Sequence, residues 1–401
     1  MTVKQIYELM NTVTGEVLGK TDLVAEDLSN VVDVGTEVFN ATAVDNYVKT
    51  LVNHIGKVIF VNRPYSGKIP SVLMDSWEFG SVLEKISCDT PAAEENESWD
   101  LVDGQEYKQD IFYKPTVSAK FFNSKVTFEV PMSFTEKQVK ESFSNAAQLN
   151  GFISMIYNAV DRSMTIKIDG LVMRTINSMI AQTLNADKTA FAGGYGTAST
   201  ARCVNLLKLY NDKFFPATGS TANPDALTAD KAIYDPDFIR FASYTMGVYV
   251  DRLASISTLF NVGGKDRFTD ANNLHVIMLS DFAKGADVYL QSDVRHNEMT
   301  RLPNYETVPY WQGSGKNYEF DSTSAINVKI DASTTVDIDG IVGVMFDRDA
   351  LGVSNLDRRV TTAYNAKAEF FNNYYKFDAG YFNDTNENFV VFFVSDAKTA
   401  G

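Results

Sequence analysis

The sequence is poor in the residues that carry most chemistry. It holds two cysteines, three histidines and three tryptophans in 401 residues. Cys88 and Cys203 lie far apart, which excludes a disulfide framework and any Cys-x-x-Cys metal spacing, and two scattered thiols suit synthesis in the cytoplasm. His54, His275 and His296 each stand alone, away from cysteine or a partner motif, so each reads as a satisfied surface or core side chain. Positive charge is also scarce: 36 Lys and Arg stand against 51 Asp and Glu, a formal net charge of −15. That excludes a sequence-reading nucleic-acid binder, which presents a basic face to phosphates. Long apolar runs are missing. FVVFFV, near the end, is far too short to span a bilayer, and MTVKQIYELMNTVTGEV lacks the apolar run of a signal peptide. The expectation is a soluble protein made in the cytoplasm, with no membrane partner.

Catalytic motifs are absent as well. There is no G-x-S-x-G and no H-E-x-x-H. GGYG at 193–196 follows no apolar strand and lacks a Gly-Lys-Ser/Thr ending, so it reads as a flexible loop and not a phosphate cradle. TTVDIDG offers Asp337, Asp339 and Gly340, but a calcium loop in that register needs a glutamate where Phe346 stands, and a β-turn is the better fit. The dense aromatics from Phe370 to Phe393 alternate with polar residues, which favours sheet core over a stacking platform. The sequence therefore predicts no enzyme, no cofactor and no metal.

What is present is a long chain of ordinary apolar content, 45% hydrophobic, enough for two or three lobes around a sizeable core. Residues 1–60 are helical and amphipathic in pieces, and AVDNYVKTLVNHIGKVIFV passes into a short strand. From Asn62 to Pro115 helical periodicity fades and strand-like pieces appear. Here Glu84, Asp89, Glu94, Glu95, Glu97, Asp100, Asp103, Glu106 and Asp110 face only Lys85 and Lys108, a local excess of seven negative charges. Trp77, Phe79 and Trp99 argue against a disordered linker, which seldom carries bulky aromatics. The segment reads as a long, two-stranded acidic excursion.

Next, Val126, Phe128 and Val130 alternate with Thr127 and Glu129, the period of a half-buried strand. Pro131 is expected to end it. Ser133 and Glu136 form an S-x-x-E capping box that starts a helix over about 134–147, and LNG at 149–151 allows a bend. Phe152, Ile156, Ala159, Val160, Met164, Ile168, Leu171, Val172, Ile176, Met179, Ile180 and Leu184 then step by threes and fours. The stripe predicts a spine of ~34 residues, roughly 50 Å long. Residues 188–235 are rich in Ala, Gly, Thr and Asn. Asp235 caps a helix with Pro236 in its first turn and a stripe through Phe238, Phe241, Met246, Val250 and Leu253. HVIMLS is a buried strand followed by a short helix, VTTAYNAKAEF alternates as a strand, and NFVVFFVS closes the chain.

This order of elements resembles tailed-phage major capsid proteins with the Hong Kong 97-like fold. YKPTVSAKFFNSKVTFEVPMSFTEKQVKESF is similar to that family's strand returning from an extended loop into a spine helix. GIVGVMFDRDALGV, followed by a long strand RRVTTAYNAKAEFFNNYYKFDAGYF and FVVFFV, is similar to its C-terminal pattern. The resemblance implies an α+β chain: an N-terminal arm at 1–60, an extended β-hairpin loop at 61–112, and a peripheral domain with the spine at 113–187. An axial α/β domain would follow at 188–354, with a return to the peripheral domain at 355–385 and a final axial strand and tail at 386–401. It further implies a homo-oligomer of pentamers and hexamers closing an icosahedral shell around packaged double-stranded DNA, without sequence-specific binding. Scaffolding, portal and decoration proteins would be partners, and the virion capsid, assembled in the host cytoplasm, would be its location. Since the arm begins almost at once, a scaffold would be separate or lacking. Some members cross-link a loop lysine to a neighbour; Lys68 and Lys85 are candidate donors, with no matching acceptor.

Extended parts bury poorly against their own chain and call for neighbouring copies. Trp77, Phe79, Glu94, Glu95, Glu97 and Trp99 on the excursion are the expected intersubunit contacts. Lys137, Lys140, Arg162, Lys167 and Arg174 on the spine are the expected acceptors of its charge. An encapsulin-type shell, usually shorter, and a secreted β-rich glycan-binding protein, which needs a signal peptide, are the alternatives.

Overall fold

A computed structural model describes residues 3–20, 24–40, 46–51, 54, 69–74, 83–91, 93–107, 110–217, 223–291, 305–312 and 323–396. Trp77, Phe79, Lys68, His296 and the short strand anticipated near residue 60 lie outside them. Helices α1 (Val3–Leu18), α2 (Val31–Asn40) and α3 (46–51) open the chain. Strands β1 (Leu73–Met74), β2 (Leu83–Cys88), β3 (Val117–Phe122) and β4 (Lys125–Thr135) lead to helices α4 (Glu136–Ser142) and α5 (Ala146–Ala186). Then come β5 (Cys203–Asn205), α6 (Leu206–Phe214), α7 (Ala229–Ala232), α8 (Pro236–Ala254), β6 (Leu274–Leu279) and α9 (Ser280–Gln291). The remainder is strand: β7 (Tyr305–Val308), β8 (Ile326–Lys329), β9 (Thr335–Ile338), β10 (Ile341–Asp347), β11 (Leu351–Asn365), β12 (Phe370–Asn383) and β13 (Phe389–Phe393). Two compact units result, one from Met1–Glu78, Ser124–Val172 and Val353–Gly380, the other from Phe79–Asn123, Met173–Gly352 and Tyr381–Gly401.

The first unit is built on a sheet of order β1-β11-β12-β4. Its N-terminal helices bury Ile6, Leu9, Met10 and Val13, steps of three and four that put one apolar face inward. Gly35 of α2 is required by close approach, because a Cβ there would stand 2.7 Å from Phe143. Along α5, Leu149, Ile153, Ile156, Val160, Met164, Ile168 and Leu171 are buried, whereas Ala159, expected in the stripe, is exposed. The helix has 41 residues, about 60 Å at ~1.5 Å each.

Four sequence expectations are corrected here. Pro131 does not end β4, which runs on to Thr135 with Pro131 opposite Tyr374. β4 is the outermost strand of its sheet, so the missing amide can face away from β12 at no cost to the ladder. Ser133 is consequently a strand residue whose Oγ bonds Asn372, and the capping box lies two residues later. The Thr135 hydroxyl accepts from the Gln138 amide at 3.2 Å while the Gln138 side chain accepts from the Thr135 amide at 3.0 Å. Nor does the helix bend at LNG. The break falls at 143–145, where the Asn145 carboxamide caps α5 by accepting from the Gln148 amide at 2.8 Å, and Gly151 lies inside the helix. Thr135→Ala should therefore cost ~1 kcal/mol of subunit stability in thermal melts, and Ser133→Ala clearly less; the reverse order would move the cap back to 133.

The fourth correction concerns the C-terminal strand, which is a hairpin and not one continuous ladder. The Asn365 carboxamide accepts from the amides of Lys367 and Ala368 at 3.1 and 3.2 Å, an Asx turn, and Glu369 takes φ 49° to close it. β12 then pairs with β4 from Phe370↔Thr135 to Gly380↔Lys125. Tyr375 on β12 is fully buried, its hydroxyl has no hydrogen-bond partner among the described residues, and burial pushes its ionisation well up. Removing that oxygen leaves shape and packing intact. Tyr375→Phe should be neutral or stabilising by ~1 kcal/mol in denaturant melts, and a clear loss would reveal a partner for the hydroxyl.

The second unit contains a mixed sheet of order β5-β13-β10-β6-β7. β13 is buried throughout and β10 nearly so, as expected for central strands covered on both faces. Val342, Met345, Val390 and Phe392 share one core with Phe238, Met246 and Leu253 of α8, and Asp235 caps that helix as predicted. Gly340 has φ +78° and packs where a Cβ would meet the Val394 carbonyl, so TTVDIDG ends in a tight turn.

Candidate functional site

β2 and β3 form an antiparallel hairpin in the second unit, with Leu83 opposite Phe122 and Cys88 opposite Val117. The register sets Lys85 directly across from Lys120, on one face. Like charges in that relation repel. Here the Asp384 carboxylate, 4% exposed, lies between them, with one oxygen 3.2 Å from Lys85 Nζ and the other 2.9 Å from Lys120 Nζ. Glu387 extends the cluster, 3.9 Å from Lys85 and 3.1 Å from Arg267, while Asp89 at the end of β2 pairs with Lys265 at 2.6 Å. Phe122 packs on Phe382 at 5.1 Å between ring centres, and Lys85 Nζ lies 5.4 Å from the same ring.

The two carboxyls titrate in opposite directions. Burial works against the charge of Asp384, but hydrogen bonds from Lys120 and the Asn386 amide, with the nearby Lys85 ammonium, outweigh it and hold the carboxyl below its usual range. Burial dominates at Glu387 and pushes it up, despite Arg267 and Lys85. Asp384 is thus the anchor of the hairpin. Lys85, a candidate cross-link donor by resemblance, serves this anchor.

Beyond the strands the excursion presents apolar side chains to solvent. Trp99 is 93% exposed, Phe112 86%, Tyr113 76% and Leu101 64%, interspersed with exposed Glu94, Glu95, Asp100, Asp103, Glu106 and Asp110. A short 3-10 turn at Glu97–Trp99 and a bond from the Val102 amide to the Tyr107 hydroxyl at 2.9 Å give the stretch local order. Among the spine cations expected to receive it, Lys137 and Lys140 form ion pairs with Glu141 and Glu136 one helical turn away, at 3.8 and 2.6 Å. Arg174 stacks on Tyr381 at 5.9 Å; Arg162 and Lys167 are exposed.

The other motifs have structural roles. His54 bonds Glu16 at 2.9 Å, and His275 lies in β6 against Phe346 at 5.9 Å. Cys203 is buried, with its thiol pushed well up by burial, and Cys88 is exposed. GGYG at 193–196 is a loop, with Asn205 donating to the Tyr195 carbonyl at 3.1 Å. Among the described residues no three potential ligands are grouped for a metal, and no helix is long and apolar enough to cross a membrane. Sequence reasoning missed Lys120, Asp384, Glu387 and Arg267, whose significance depends on contacts across most of the chain.

The mixed α/β fold is that of phage capsid subunits. The capsid structure of Staphylococcus phage Andhra superposes with a TM-score of 0.50 at 7% identity, covering 83% of this chain and 86% of that one. The capsid structure of the cyanophage P-SCSP1u matches with a TM-score of 0.42 at 9% identity, over 81% and 87% of the two chains. No curated protein matches the sequence. The sequence does match the Phi29-like phage major capsid proteins over residues 10–393. The chain belongs to that family: it is a structural protein that forms the capsid shell of a tailed phage.

Proposed function

We propose that the shell is icosahedral, built of pentamers and hexamers of this chain with the Hong Kong 97-like arrangement, and encloses packaged double-stranded DNA. The observation that carries this is the excursion: a hairpin anchored to its own unit by Asp384 that leaves Trp99, Phe112 and Tyr113 bare. Patches of this kind mark surfaces that another molecule covers. In that arrangement residues 1–60 are the arm, 61–112 the extended loop, and 113–187 with 355–385 the peripheral domain. Residues 188–354 and 386–401 are the axial domain. Trp77, Phe79, Glu94, Glu95, Glu97 and Trp99 contact a neighbouring copy, and the exposed spine cations Arg162 and Lys167, with Lys137, Lys140 and Arg174, lie on a second covered face. The net charge of −15 suits a container that confines DNA without gripping it. A scaffold, a portal and decoration proteins are the further partners, and assembly takes place in the host cytoplasm.

Electron microscopy of the purified full-length protein, with and without a scaffold, tests this. Closed particles of uniform size are the expected result. Open tubes or sheets under every condition would overturn the icosahedral assignment.

A further inference from the structure

The second unit carries an open cleft of about 580 Å³ between α6 and α8. Its wall is one face of α8, where Phe241, Tyr244, Tyr249 and Arg252 recur at helical spacing, joined by Lys213 of α6 and by Phe260. Arg252 lies 5.0 Å from the Tyr249 ring and Lys213 5.6 Å from the Phe241 ring, so both cations are held over aromatic faces. The lining includes these two cations and no carboxylate, and neither cation has an ion-pair partner among the described residues. At the rim Tyr244 is 68% exposed and Leu259 61%. An aromatic trough with a cation toward each end that has no carboxylate beside it calls for an acidic segment with an aromatic anchor.

The chain itself provides such a segment. We infer that the cleft seats residues 99–106 of a second copy of this chain, with Trp99 in the aromatic trough and Asp100, Asp103 and Glu106 on Lys213 and Arg252. This inference rests on the shell-forming role and names the surface the excursion meets. The dimensions agree. Phe241 and Arg252 are separated by ~16 Å along α8; residues 100–106 reach ~20 Å only when extended, so docking opens the turn in which the Gln105 amide donates to the Val102 carbonyl at 3.3 Å. The occupant is a neighbour, because Trp99 of the same chain is 93% exposed and therefore leaves its own cleft empty. The cleft is favoured over Lys137 and Lys140, which already pair with carboxylates of their own helix. One buried tryptophan covers only ~150–250 Å², so the contact is weak alone and acts through repetition around a ring of subunits.

Charge exchange tests it in the full-length protein. One variant carries Lys213→Glu with Arg252→Glu, a second carries Asp100→Lys with Glu106→Lys, and a third carries all four; circular dichroism and melting check that each folds. Sedimentation velocity should show that the first two need a protein concentration higher on the order of tenfold to form capsomers or shells. The four-fold variant should recover fully, and an equal mixture of the first two should recover hexamers, because in an even ring the two variants alternate and each reversed segment meets a reversed cleft on another chain. Trp99→Ala should weaken assembly without touching either cation, which serves if a charge variant fails to fold. Assembly unchanged in the two-fold variants would overturn the inference and leave the shell role standing. Recovery in the four-fold variant with no hexamers in the mixture would put the contact within one chain and overturn the role of the second copy. A wild-type protein that sediments only as monomer would overturn the shell role and this contact together.

Discussion

Asp384→Ala should destabilise the second unit by about 2–3 kcal/mol and loosen the β2–β3 hairpin. Removing one partner of a fully buried ion pair costs ~3–5 kcal/mol, because the other charge is left uncompensated. The figure is lower here because Lys85 and Lys120 are 22% and 37% exposed and water can partly resolvate them. Yet the loss exceeds that of a surface pair, since two lysines opposite one another would be left to repel. Glu387→Gln is the control. Burial already works against its charge and it lies 3.9 Å from Lys85, so the amide should cost less than the loss of the Asp384 carboxylate. Denaturant melts give both values, and hydrogen exchange should show faster opening at 83–88 and 117–122 in the aspartate variant alone. Equal, small losses in both variants would mean that the Phe122–Phe382 contact holds the hairpin by itself.

The same pair sets an acid response. The folded pKa of Asp384 is below the ~3.9 of an unfolded aspartate, so its contribution is present above that value and is lost as pH falls through the folded pKa. Glu387 has the opposite sign: its folded pKa is raised, so its contribution is full below ~4.3 and is lost as pH rises through the folded value. Stability should therefore hold or rise slightly as pH drops from neutral to about 5, then fall below about 4. Asp384→Ala should flatten the acid limb of that curve, as measured by melting from pH 3 to 7.

Much of this architecture was legible because it is local. Alternation at Val126, Phe128 and Val130 marked β4, the apolar steps along the spine marked α5, and Asp235-Pro236 marked the start of α8. The errors arose where two local signals overlapped and a distant strand decided between them. S-x-x-E at 133 and T-x-x-Q at 135 are both capping boxes. β12 extends pairing to Thr135, so Ser133 is committed to the ladder and only the second box is free to cap. The alternation through 360–370 hid an Asx turn, since Asn365 carries the same polar pattern in a strand and in a turn. Gly151 looked like a bend but is tolerated inside a helix whose start is fixed by Asn145. The acidic excursion was visible from charge and aromatics. Its anchor was not, because Lys85 and Asp384 are 299 residues apart in the chain.

Replacing residues 93–113 with a short Gly-Ser linker should leave the subunit folded and abolish assembly. A larger excision, of residues 66–108, would not separate these effects, because it removes buried Ile69 and Val72 and the whole of β2. The narrower cut spares every described strand. The Asp89 amide bonds the Thr116 carbonyl at 2.9 Å, so the ends to be joined already meet across the hairpin. A loop about 2.5-fold shorter lowers the closure cost by a little under ~1 kcal/mol, and the subunit should melt at or above the wild-type temperature. Assembly has no such compensation. Trp99, Phe112 and Tyr113 alone offer ~500 Å² at ~150–250 Å² each, a large share of the ~800 Å² that one partner gives to a stable interface. Light scattering should report monomers or single capsomers where the intact chain gives large uniform particles. Shells of normal yield from the shortened chain would mean that the bare aromatics of the excursion contribute nothing to holding copies together. Outright unfolding would mean that the tip supports its own unit, contrary to its exposure.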